Sequence, residues 1–148
     1  MHAQHQRRRL MQAGLLGSLG LLGRRAQACE FYTSTLRVTH PWTRATPDGA
    51  DSAIVCMKFD EVHQADRLIG IQTELATSAV LGGLKASDRV DFDIPRGQPC
   101  ELAESGTYLR LKGLTQPLEV GRSYPIRLVF AVGGTLNADL SVDYDRFR

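Results

Sequence analysis

Side chains able to do chemistry are sparse in this 148-residue chain, which has three cysteines, four histidines and three methionines. Beyond residue 28 they reduce to Cys29, Cys56, Cys100, His40, His63 and Met57. No Asp or Glu stands at a spacing that would make either histidine part of a catalytic triad or a metal-binding helix. His40 precedes Pro41-Trp42 at the end of an apolar stretch, and His63 lies in the polar run Asp60-Glu61-Val62-His63-Gln64, so both read as edge or solvated histidines. The glycines are scattered at turns, without the strand-glycine-helix context of a nucleotide site. These residues support no hydrolase, metalloprotease or nucleotide enzyme, and the expectation is a protein that is not an enzyme.

The cysteines gain meaning from the start of the chain. Residues 1–28 contain five arginines, Arg7, Arg8, Arg9, Arg24 and Arg25, and no acid. Between the two arginine groups runs the apolar stretch Leu10 to Gly23, diluted by Gly14, Gly17 and Gly20. It is too short and too glycine-rich for a transmembrane helix, and no membrane anchor of that kind is expected. The arrangement is that of an export signal, of the twin-arginine type that carries folded proteins, with Sec export as the alternative. Ala26-Gln27-Ala28 would place cleavage before Cys29, leaving 29–148 as one exported domain in a bacterial periplasm. Acylation of Cys29 is the less favoured course, because Ala26 stands where a lipobox usually has Leu.

In an oxidising compartment Cys56 and Cys100 could bridge if their Cα atoms lay within about 7 Å. Two small buried thiols are the preferred reading. Three sulfurs with Met57 could in principle hold Cu(I), but no Cys-x-x-Cys or methionine-rich spacing supports it. A thiol redox role has no basic or helical feature to lower a cysteine pKa.

The elements that must position these groups are strands. Leu36-Val38-His40-Trp42, Leu109-Leu111, Ile126-Leu128-Phe130-Val132 and Leu136-Ala138-Leu140-Val142-Tyr144 alternate with period two. Ala53 to Met57 is a continuous apolar run suited to a central strand, with Leu68 to Ile71 and Val90 to Ile94 as shorter candidates. Pro47-Asp48-Gly49, Pro95-Arg96-Gly97, Glu104-Ser105-Gly106, Val120-Gly121 and Gly133-Gly134 supply the turns. The expectation is an all-β, antiparallel Greek-key β-sandwich whose core includes Val38, Trp42, Val55, Met57, Leu128, Phe130, Leu140 and Val142. Of the 18 basic residues, 13 lie beyond residue 28 against 16 acids. That mildly acidic body argues against nucleic acid as a partner.

Several segments in order carry a resemblance: Trp42-Thr43-Arg44-Ala45-Thr46-Pro47-Asp48-Gly49-Ala50, Ala65-Asp66-Arg67-Leu68-Ile69-Gly70, Ile94-Pro95-Arg96-Gly97, Leu111-Lys112-Gly113-Leu114 and Pro125 to Phe130. From about Leu36 to Val142 the chain resembles the periplasmic copper chaperone family PCu(A)C. The resemblance implies a cupredoxin-like sandwich of the class that carries Cu(I) towards cytochrome oxidase, with a membrane oxidase or its assembly factors as partners. The family holds copper with two histidines and two methionines. The positions that correspond here are Gly82 or Gly83 after Ser78-Ala79-Val80-Leu81, the short loop Leu84 to Arg89, and Tyr108 and Arg110 in place of His-x-Met. With the family's ligands missing, the substitutes available to copper are Cys29, Cys56, Cys100, His40 and His63. The alternative function is a metal-free binding or assembly module.

Overall fold

The computed structural model describes residues 29–143. The export segment expected at 1–28, and Tyr144 at the end of the last alternating stretch, lie outside these residues. The described chain contains ten strands and no helix: β1 Glu30–Tyr32, β2 Arg37–Arg44, β3 Ser52–Asp60, β4 Asp66–Gln72, β5 Ala76–Gly83, β6 Phe92–Ile94, β7 Cys100–Leu102, β8 Thr107–Leu114, β9 Ser123–Phe130 and β10 Gly134–Asp143. They form one curled sheet in the order β5-β8-β3-β2-β10-β9-β4-β6, with β1 on β2 and β7 on β3. Strand β3 serves both layers: Ser52 to Val55 pair with β8, and Met57 to Phe59 pair with β7.

Alternation fills the space between the layers. Val38, Val55, Leu109, Leu111, Leu128 and Leu140 are fully buried, with Met57, Phe130 and Val142 at 2% exposure. Phe59 meets Phe130 edge to face at 6.1 Å, an arrangement suited to the ring quadrupoles, and Phe92 at 5.9 Å with the rings tilted by 34°. The all-β sandwich therefore stands as expected, with one difference: β2 and β10 run parallel, while the remaining pairs are antiparallel.

Trp42 is the one expected core residue that is not in the core. The β2–β3 register shifts between Thr39 and Trp42, and His40 sits there at φ 49°. Such a bulge reverses the alternation beyond it. Thr43 becomes the buried residue at 1% exposure, and Trp42 turns to the outer face opposite Cys56.

A second feature fixes the joint between β1–β2, β4 and the β9–β10 turn. Asp66, 4% exposed, accepts hydrogen bonds at Oδ1 from the Arg67 and Val132 amides and at Oδ2 from Thr35 Oγ1 and the Gly133 amide. Burial works to raise its pKa, and these four donors outweigh it, holding the carboxyl below its usual value. Gly133 is required by this approach, since a Cβ there would stand 2.9 Å from two threonine hydroxyls and 3.1 Å from Asp66.

Candidate functional site

On β8, Leu109 and Leu111 point into the core, so Tyr108, Arg110 and Lys112 point out. The ladder then places Gly82 of β5 opposite Tyr108, and Val80 of β5 and Ile54 of β3 on either side of Arg110. The three positions singled out by resemblance, Gly82, Tyr108 and Arg110, are thus neighbours on one outer face. The Tyr108 ring lies across Gly82, where any Cβ would collide with it. The Arg110 guanidinium stacks 5.5 Å from the centre of that ring, donates to Tyr108 Oη at 3.3 Å, and donates to Ser52 Oγ at 3.1 Å. Among the described residues Arg110 forms no ion pair, and its partners are these two hydroxyls.

The adjoining wall comes from the bulged β2. Arg44 lies 5.7 Å over the Trp42 ring and makes a fork to Glu104, Nε to Oε1 at 2.5 Å and Nη2 to Oε2 at 3.0 Å. Cys56, 1% exposed, belongs to this outer face rather than to the core, with the Glu104 amide directed at its sulfur. Burial pushes its thiol up to about 12, helped by the nearby Glu104 carboxylate. Between these groups opens a cleft of about 220 Å³ whose lining includes Arg44, Thr46, Ser52, Ile54, Glu104 and Arg110.

The other candidate residues are dispersed. Cys100 pairs with Phe59 on the core side of β3, so it and Cys56 face opposite sides of the sheet and both are free thiols. The register thus excludes the Cys56–Cys100 bridge, the less favoured alternative, and leaves two free thiols. Burial also raises the Cys100 pKa. His40 is exposed at the bulge, its Nε2 2.8 Å from Asp143 Oδ2, and its amide donates to the Cys29 carbonyl. Cys29 Sγ is 3.8 Å from Ser141 Oγ. His63 is exposed in the β3–β4 loop, where its amide caps the Thr35 carbonyl. Among the described residues no three His, Cys, Asp or Glu side chains converge as a metal group. Ser52, Arg44, Thr46 and Glu104 escape sequence reasoning as site residues. Cross-strand register, together with the loops that follow β2 and β7, brings them beside Arg110, and neither is visible locally.

Comparison with known proteins fits this geometry. Residues 36–142 match the model of the LpqE-like family, described as lipoproteins. The apo PCuAC domain from PmoF1 superimposes with a TM-score of 0.68 at 31% identity, covering 77% of this chain and 98% of that one. The chain belongs to the PCuAC-type, LpqE-like family. The copper-bound PCuAC domain from PmoF2 shares the fold, with a TM-score of 0.69 at 24% identity over 77% of this chain and 97% of its own. The solution structure of Cu(I)-DR1885 from Deinococcus radiodurans gives 0.61 at 28% identity, covering 72% and 77%. A comparison with curated proteins finds no match. This PCuAC domain thus has the copper chaperone fold, and its outer face carries a tyrosine-arginine stack.

Proposed function

We propose that this chain is an exported PCuAC-type protein of the Cu(I)-carrying class in which the family's copper position has been given over to protein contacts. It then works as a metal-free binding or assembly module for a membrane oxidase or its assembly factors. The observation that carries this reading is the Tyr108–Arg110 stack over Gly82. A glycine offers no side-chain donor, a guanidinium has no lone pair to give, and a fixed cation repels Cu(I). Met57 is in the core at 2% exposure, away from this face. Competition of the purified protein against a strong Cu(I) chelator tests it, with thiols reduced and then alkylated. Loss of copper to the chelator is expected. Stoichiometric retention after alkylation overturns the reading, and retention that alkylation abolishes relocates copper to Cys29, Cys56 or Cys100.

Location belongs to the same proposal. Arg7-Arg8 ahead of the glycine-diluted stretch supports twin-arginine export to the periplasm. Replacing both with lysine is expected to hold the precursor in the cell, and unchanged export would assign the Sec route. The lipoprotein description of the family favours a second reading, in which Cys29 is acylated after cleavage. Mass spectrometry of the mature N-terminus separates a free from a lipidated Cys29.

A further inference from the structure

The cleft beside Arg110 has a hydrogen-bonding polarity of its own. Arg110 has five N–H donors, of which two are directed at Ser52 and Tyr108. Because Ser52 Oγ accepts from Arg110, its own hydroxyl hydrogen remains available to donate. Thr46 is in the same condition, since its Oγ1 accepts the Leu118 amide at 2.9 Å. Three groups lining one cleft thus offer donors, and the one carboxylate in the same lining, Glu104, is held on both oxygens by Arg44. Convergent donors around a cation with no acid partner form a site for an anion.

We propose that this cleft is a carboxylate-binding site that receives an acidic side chain of a partner polypeptide. The inference deepens the proposed function and rests on its premise that the copper position has become a contact surface. Charge matching selects a carboxylate. The cleft presents one uncompensated cation, Arg110, whose fork matches the two oxygens of a carboxylate, while Arg44 is already neutralised by Glu104. A phosphate group carries up to twice that charge, more than the one uncompensated cation matches. A volume of about 220 Å³ accommodates the end of one acidic side chain. The half-buried Tyr108 and Trp42 on the same outer face are of the types enriched where proteins meet.

The test is an NMR titration of the 15N-labelled protein with an acetylated, amidated hexaglutamate peptide at low salt, following the Arg110 Nε–Hε resonance. The assignment comes from Arg110→Lys. A saturable shift is expected, with affinity falling about tenfold or more in Arg110→Gln. In Lys112→Gln, which removes an exposed cation two residues away, a change below about twofold is expected. Arg110→Lys keeps the charge but not the fork, and an intermediate loss is expected. An unmoved Arg110 resonance, or an equal loss in Lys112→Gln, overturns the site. Inorganic phosphate displacing the peptide at lower concentration than acetate overturns the carboxylate assignment. Copper retention in the chelator competition would instead strike the premise, and it is read from a different experiment.

Discussion

Asp66 and Arg110 each gather neutral polar groups around a charge, yet they reach opposite end states. Asp66 is 4% exposed and has four donors on its two oxygens, drawn from three separated stretches of chain. Arg110 is half-buried and spends two of its five donors on Ser52 and Tyr108. The first set is closed: nothing can bind without displacing a partner, so its free energy goes into fixing the fold. The second is open, and its unspent donors are available to another molecule. The same residue types thus give stability or recognition according to whether the hydrogen-bond count is completed inside the chain.

The sharpest way to break this contrast is to open the closed set. Asp66→Ala takes the shared acceptor away from the Arg67, Val132 and Gly133 amides and the Thr35 hydroxyl, and a loss of about 3 kcal/mol in urea unfolding is expected. Asp66→Asn is expected to be nearly as costly, because its amide would face the Gly133 N–H donor to donor. Acid should act in the same direction. The Asp66 and Asp60 carboxyls are both held below their ordinary value, Asp60 chiefly by its hydrogen bond from Arg37. Their stabilisation is therefore fully present above about pH 4 and lost as pH falls below it. A urea series across that range should show the decline, and Asp66→Asn should make it shallower.

Gly82→Ala probes the other region through its packing. With the Tyr108 ring in place it is expected to cost about 1–3 kcal/mol, and in a Tyr108→Ala background less than about 0.5. A double-mutant cycle that shows no coupling would remove the stack from the site. The smallest effect is expected for Arg110→Gln, within about 0.5 kcal/mol in the same unfolding assay, as for a half-buried group with two of its five donors engaged. A loss as large as that of Asp66→Ala would make Arg110 a structural residue and erase the distinction.

Legibility in the sequence followed range. Val38, Leu128 and Leu140 are readable because period-two alternation is a local consequence of the pleat. Trp42 is misplaced by that rule because one residue of bulge at His40 inverts every position after it, and His40 gives no local sign of adopting φ 49°. Strand β5, Ala76–Gly83, is small and polar at an edge, so periodicity passes it over and resemblance alone reaches Ser78 to Leu81. The Gly82, Tyr108 and Arg110 positions were legible as a set through family spacing. Ser52 and Thr46 were not, since their contribution depends on register and on a loop from elsewhere. The parallel β2–β10 pair and the Asp66 clasp likewise join distant segments that no window of sequence contains.

That parallel pair also sets an order of events. Trp42 lies beside Ser141, and Thr43 beside Val142, so β2 stands near the start of the described residues while its neighbour is the last strand among them. Until β10 emerges from the ribosome, one edge of β2 has unpaired amides and carbonyls, the condition in which strands recruit foreign partners. No fragment ending before β10 can close the layer that contains Leu140 and Val142. Closing that layer costs the loop entropy of nearly the whole described chain, a contact of the long-range kind that slows folding.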